Sequence, residues 1–204
     1  MTQTLPAEHV TIAPSILYFG TPVVLISTEN ADGTPNLALM SSGWALGDVF
    51  VLGIGAKGHT SHNLRKRPDL VLNFPAPEMW QAVESLALLT GANPVPDGKP
   101  ANCRYEKDKF GAAGLHPLAS GLVRPPRVAE CPVQIEARVA DLRLDSADSF
   151  VIVEATTLRV HADRRLVIDG TSHIDTQAWS PLVYNFRHYF GLGARLGKAR
   201  RAEY

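Results

Sequence analysis

Along much of this chain apolar and polar residues exchange with a period of two, the signature of strands with one buried face. Val23–Thr28 is a compact β-branched run and reads as a strand. Asp32–Gly33 follows it and signals a hairpin, because glycine supplies a positive φ without a Cβ clash. Asn36–Ser42 is then the return strand, with Leu37, Leu39 and Ser41 on one face. Gly43–Gly47 reads as a bend, Val49–Ile54 as a third strand and Asp69–Phe74 as a fourth, stopped by Pro75 and Pro77. Between the last two, Gly58–Lys66 suits one or two helical turns, with His59 or Thr60 as N-cap. Glu78–Thr90 carries Met79, Val83, Leu86 and Leu89 at helical spacing and predicts a helix, with Gly91 as its stop.

The second half repeats the strand pattern. Cys131–Leu144 sets Val133, Ile135, Ala137 and Val139 against Gln134, Glu136 and Arg138, which predicts one buried and one wet face. Ser149–His161 is another strand, and Arg164–Ile168 a short hairpin partner. The proline-rich stretches 93–104 and 116–127 read as loops over the surface, and Tyr105–Leu115 holds a short helix ended by Gly114. Asn185–Leu192, rich in aromatics and glycine, reads as a terminal segment packing back on the core. Six or seven strands with few helices between them predict a mainly β fold, an antiparallel barrel or sandwich rather than a doubly wound parallel sheet. Neither half closes a β-core alone, so residues 1–204 read as a single domain.

Composition sharpens this picture mostly by exclusion. Of 204 residues 45% are hydrophobic and 20% charged, ordinary for a globular protein with a sizeable core. Lys plus Arg equals Asp plus Glu at 20 each, so no polybasic surface argues for nucleic acid or an anionic membrane. The arginine-rich end, Arg195–Arg201, reads as a solvated terminus. Cys103 and Cys131 are not spaced as a metal knuckle or redox pair. The start shows no signal-peptide pattern and no run is long enough to span a bilayer, so the expected setting is cytoplasmic. There is no GxGxxG after a strand, no GxxxxGK[ST] and no GxSxG. His59 and His62 stand three apart, but a metal would need a further ligand and only Asp48 lies near, so no metal is expected.

Two short segments carry candidate chemistry. Asn36–Trp44 offers Asn36, Ser41, Ser42 and backbone groups beside Met40 and Trp44, a set suited to a flat aromatic ligand with a polar edge. An ordinary strand and turn explains the same residues. Lys57, Thr60, Ser61 and Asn63 combine a cation, hydroxyls and the N–H groups of a helix start, which attract phosphate. Capping explains Thr60 equally well.

Eight stretches span nearly the whole chain: YFGTPVVLIST, DGTPNLALMSSGW, VFVLGIGAKGHTSHNL, DLVLNFP, VESLALLTG, DKFGAAGL, ECPVQIEA and WSPLVYNFRHYFGLG. In order and spacing they together resemble the flavin reductase-like family of FMN-binding split-barrel proteins, its flavoredoxin-like branch in particular. The resemblance implies a Greek-key split β-barrel with FMN held near a homodimer interface. It implies a cofactor site formed by Asn36, Met40, Ser41, Ser42 and Trp44 at the ring and ribityl chain. Thr60 and Asn63, with Lys57, would stand near the phosphate, and Lys109 and His188 would complete or close the site. The implied activity is an NAD(P)H:FMN oxidoreductase, with NADH or NADPH as reductant and a partner monooxygenase or other acceptor for the reduced flavin. No catalytic residue is required of the protein for such a hydride transfer, because the cofactor does the chemistry. The alternatives are a non-catalytic FMN-binding electron carrier and a barrel that has lost flavin and serves as an interaction or haem-binding module.

Overall fold

The structure, a computed structural model, describes residues 8–15, 17 and 19–197. Ile16 and Tyr18, and residues 198–201 of the arginine-rich end, lie outside the described residues.

Strands β1 (Phe19–Pro22), β2 (Val24–Glu29), β3 (Pro35–Met40), β4 (Gly43–Leu46) and β5 (Val49–Gly55) precede helix α1 (His59–Lys66) and strand β6 (Asp69–Phe74). A 3₁₀ turn at Pro77–Met79 leads into α2 (Trp80–Ser85), followed by β7 (Leu89–Thr90), β8 (Arg104–Tyr105), α3 (Lys109–Ala112), β9 (Pro117–Leu118) and β10 (Arg127–Val128). The long pair β11 (Val133–Leu144) and β12 (Phe150–Ala162) comes next, and the hairpin β13 (Val183–Asn185) and β14 (His188–Phe190) closes the order.

Seven strands form one antiparallel sheet in the order β3-β2-β6-β11-β12-β5-β4. Its two edges, β3 and β4, are neighbours in the chain and are joined by Ser41 and Ser42 alone. In a flat sheet these edges would stand about 29 Å apart, six spacings of about 4.8 Å. Three Cα steps reach about 11 Å at most. The sheet therefore curls until its edges nearly meet, with no ladder between β3 and β4: a barrel with a split seam.

Inside the curl, Val24, Ile26, Leu52, Ile54, Leu70, Leu72, Ile135, Ala137, Val151 and Val153 form one buried cluster, and Leu64 of α1 joins it. Outside, Val23, Leu25 and Leu37 pack with Val83 and Leu86 of the α2 region, Phe110 and Ala113 of the α3 region, and Leu182. Both faces of β2 are thus buried. Asn73 on β6 ties the layers: its Nδ2 donates to the Leu25 carbonyl at 2.9 Å and to Ser27 Oγ at 3.1 Å, and its Oδ1 accepts from Val128 N at 2.8 Å.

Several elements differ from the sequence reading. Gly43–Gly47 is not a bend but mostly strand β4, because Gly47 (φ 62°) and Asp48 make a two-residue hairpin turn onto β5. The return strand ends at Met40 rather than Ser42. The helix expected over Glu78–Thr90 is confined to the 3₁₀ turn and Trp80–Ser85. Beyond it the backbone turns to pair with 104–106, through Arg104 N to Leu88 O at 2.9 Å and Glu106 N to Thr90 O at 2.8 Å. Arg164–Ile168 is not a hairpin strand. Asp163 accepts from Arg165 N at 2.9 Å and winds Arg164–Leu166 into a 3₁₀ turn.

The expected wet face of β11 is dry at Gln134 and Glu136, 6% and 0% exposed. The proline-rich segment covers it. Glu136 accepts N–H bonds from Gly121 (3.0 Å), Leu122 (2.5 Å) and Val123 (3.2 Å), and one from His161 Nε2 at 2.6 Å. Burial pushes its pKa up, but the Gly121 N–H, His161 and the Leu122 N–H outweigh burial and hold it at about 2. A carboxylate with a lowered folded pKa stabilises above its unfolded value, near 4.5, and loses that contribution as pH falls through about 2. Glu136→Gln removes the charge from four donors, and urea denaturation at pH 7 is expected to show a loss of about 2–4 kcal/mol. The difference between the two proteins should shrink as the pH is lowered from 4.5 toward 2.

Candidate functional site

The hairpin β2–β3 sets Thr28 opposite Asn36. Its turn is closed by Asn30 N to Thr34 O at 2.8 Å and allowed by Gly33 at φ 81°. Helix α1 lays His59, Thr60 and Asn63 across this hairpin, and the side chains interlock. Asn36 Nδ2 donates to Thr28 Oγ1 (3.1 Å) and Thr60 Oγ1 (3.3 Å). Asn63 Nδ2 donates to Thr28 Oγ1 (3.1 Å) and Asn30 Oδ1 (3.0 Å), while Asn63 Oδ1 accepts from Arg67 Nη2 at 3.2 Å. His59 Nε2 lies 2.8 Å from the same Asn30 Oδ1. That oxygen can only accept, so the histidine carries its proton on Nε2. Burial, then the charges of Lys109, His62 and Arg67, lower the His59 pKa and favour the neutral ring.

One polar atom of this hub is left over. Asn36 Oδ1 is buried with no partner among the described residues. Gly91 lies against it: a Cβ there would stand 2.7 Å from Asn36 Oδ1 and 2.6 Å from the His59 ring. An unpaired buried acceptor costs about 1–3 kcal/mol, which a ligand donor can recover.

Lys109 is the second unusual group. Asp108 caps α3 by accepting from Gly111 N at 2.9 Å, and the next residue, Lys109, turns inward to 4% exposure. Its Nζ donates to the Leu37 carbonyl at 3.0 Å. Burial, reinforced by Lys99, lowers its pKa to about 8.

The remaining sequence-predicted residues fall into three places. Met40, Ser41, Ser42 and Trp44 lie at the seam. Met40 packs on the inner cluster, the Ser42 carbonyl accepts from Gly53 N at 2.8 Å, and Trp44 on the edge strand is 59% exposed. Lys57 is exposed in the turn before α1, outside the hub. His188 is on β14 in a separate groove of about 600 Å³ between α2 and β14, which no hub residue lines. The structure thus bonds Asn36 to Thr60 directly and links it to Asn63 through Thr28, sets Lys109 on the neighbouring Leu37 carbonyl, and leaves Lys57 and His188 apart.

Helix α1 is preceded at its N-cap by Gly58, which has no side chain to cap it, and its first turn holds no acid. His59 and Thr60, expected as caps, point instead into the hub. The first-turn N–H groups of α1 are therefore not capped by Thr60, as the sequence suggested they could be. Thr28, Asn30, Gly91 and Arg67 were not singled out from sequence. Counting back from a two-residue Asp32–Gly33 turn sets Asn36 across from Glu29, one position off its observed partner Thr28, so the count misses the first. Gly91, read as a helix stop, gave no such signal. Among the described residues no group of three His, Cys, Asp or Glu side chains could hold a metal, and no helix is long and apolar enough to cross a membrane.

A seven-stranded split barrel with a polar hub behind its seam defines a class, and comparison with known proteins fits it. The family model described as "Flavin reductase like domain" matches residues 16–193, and the chain belongs to that family. It is 45% identical over 194 residues to the uncharacterized protein YdfE of Bacillus subtilis (strain 168), covering 94% of this chain and 93% of that one. Its fold is similar to the flavoredoxin of Desulfovibrio vulgaris (Miyazaki F), with TM-score 0.79, 19% identity and coverage of 96% and 99%. It is also similar to nitrilotriacetate monooxygenase component B from Bacillus cereus, with TM-score 0.74, 16% identity and coverage of 95% and 100%. At these identities the two structures bear on the fold alone.

A lysine with a lowered folded pKa binds its proton more weakly than the unfolded chain does, so stability rises between about pH 8 and its ordinary value of 10.5. Lys109→Met removes this term. The difference in unfolding free energy between the original chain and Lys109→Met is expected to change by about 3 kcal/mol in favour of the lysine between pH 7 and pH 10.5. Urea titrations at the two pH values measure it.

Proposed function

We propose that the chain binds FMN along the seam between β3 and β4 and works as an NAD(P)H-dependent flavin reductase. The observation that carries this reading is the seam itself. Two edge strands present backbone groups without a mutual ladder, joined by two serines and backed by a buried hub with one unpaired acceptor.

The donor set suits each part of the nucleotide. The Ser41–Ser42 backbone and the open edges of β3 and β4 match the polar rim of the ring, and exposed Trp44 gives it an aromatic neighbour. The orphaned Asn36 Oδ1 accepts, and a ribityl chain is rich in hydroxyl donors. The α1 N-terminus has no side-chain cap and no first-turn acid, and Lys57 precedes it, a setting that favours phosphate. Gly55 adds room there, since a Cβ on it would meet nothing within 4 Å.

Bound FMN supplies the redox chemistry, taking up a hydride from a reduced nicotinamide and passing electrons to an acceptor. The chain's residues supply position and charge. Backbone N–H groups at Ser41 and Ser42 stabilise negative charge on the ring rim. Lys109 brings a positive charge behind β3, and its proton is held more tightly when an anion arrives nearby. The Thr28–Asn36–Asn63 bonds keep the strand and helix fixed relative to each other, so binding costs little reordering. A second copy of the chain covering the β4 edge would shield Trp44 and Leu46, 59% and 76% exposed, and a homodimer is part of the proposal. Delivery of reduced flavin to a partner monooxygenase is its expected cellular use.

The purified chain should be yellow, or bind added FMN, and should oxidise NADH or NADPH at 340 nm when FMN is present. Thr60→Ala with Asn63→Ala removes four donor–acceptor pairs of the hub and is expected to weaken FMN at least about tenfold by fluorescence titration. Bound flavin without nicotinamide turnover would convert the reading to an electron carrier, and no flavin binding would end it.

A further inference from the structure

The hairpin β13–β14 turns through two residues, Phe186 and Arg187, between the paired Asn185 and His188. Both have positive φ, 44° and 70°. Such a turn favours asparagine and glycine, and neither phenylalanine nor arginine sits there without strain. Phe186 is compensated within the chain, because its ring stacks edge-on against Phe19 at 4.8 Å. Arg187 is not. Its guanidinium makes no hydrogen bond or ion pair among the described residues, and it lines the groove of about 600 Å³ between α2 and β14.

The walls of this groove are largely aromatic. Trp80 and Phe190 are 45% and 50% exposed. Tyr189 packs on Trp80 at 6.4 Å and on Tyr184 at 5.5 Å. Its hydroxyl donates to Glu84 Oε2 at 2.8 Å, which fixes that carboxylate in the groove and leaves its other oxygen free to accept. Arg187, beside His188, supplies positive charge from the hairpin, and Glu84 supplies negative charge from α2. A volume of this size suits a small organic ligand.

We infer that the groove between α2 and β14 binds a planar aromatic anion, with its ring against Trp80 and Phe190, its oxyanion on Arg187 and an amino N–H donor carried by the ring toward Glu84. Guanidinium recognises carboxylate and phosphate alike, so an aryl carboxylate and an aromatic nucleotide share this chemistry. The site is independent of the flavin reading, because none of the hub or seam residues lines it.

Calorimetric titration of the full chain with AMP, with 4-aminobenzoate and with uncharged adenosine tests the assignment. The expected result is millimolar or tighter binding of AMP or 4-aminobenzoate, weakened by salt, with adenosine about tenfold weaker than AMP if AMP binds. AMP alone identifies a nucleotide as the source of the anion, and 4-aminobenzoate alone a free aryl acid. Arg187→Gln should weaken the bound probe at least about tenfold. Arg187→Gly should do the same while raising Tm by about 2–4 °C, since glycine relieves the turn. Absence of binding by both charged probes, unchanged affinity in Arg187→Gln, or a Tm that does not rise in Arg187→Gly would overturn the inference.

Discussion

The two-residue link between β3 and β4 sets the shape of this protein. A chain that must return from one edge of a seven-stranded sheet to the other through Ser41 and Ser42 cannot leave that sheet flat. Curling buries one apolar face completely, so the inner cluster needs no helices to cover it, only α1 to contribute Leu64. It also leaves the two edges side by side and unpaired. In most sheets open edges are a liability. Here the two-residue link keeps them close together, and in the proposed function the polar rim of a flat cofactor would use what the ladder does not.

Behind the seam, asparagine amides do what apolar packing cannot. Each amide group carries donors and acceptors in a fixed plane, so Asn36 and Asn63 can bond two partners and reject small displacements. The cost is the leftover oxygen of Asn36. Lys109 adds a second cost, a buried ammonium whose one described partner is the Leu37 carbonyl. Both are penalties that a bound, hydroxyl-rich anion would offset, and both lie next to the same strand.

The strands of the barrel were legible because alternation is local: Asp69–Phe74 has the same bounds in sequence and structure, and the Asp32–Gly33 hairpin was readable from its turn. Failures came where a distant segment decided the outcome. Glu136 looks like a wet-face residue until the 117–128 segment folds over it and donates three backbone N–H groups. The α2 helix stops early because 104–106 offers a strand partner. Of the candidate site, Asn36, Thr60 and Asn63 could be named from their residue types and from the family resemblance, although their bonds to Thr28 and Asn30 could not. Gly91 was invisible in its role, since nothing in a sequence says which oxygen a missing Cβ makes room for.

Strand β2, with Val23 just before it, has apolar residues on both faces, Val23 and Leu25 outward, Val24 and Ile26 inward. Hydrophobicity alone would tolerate a slip by one position, since either face could enter either layer. The polar residues forbid it. A slipped β2 would take Ser27 and the Leu25 carbonyl away from Asn73, and Thr28 away from Asn36 and Asn63. Several buried amides would lose partners at once. The energy gap between the native fold and its nearest misregistered competitor therefore rests on a few asparagines, while the oily residues that supply most of the stability are nearly indifferent to the choice.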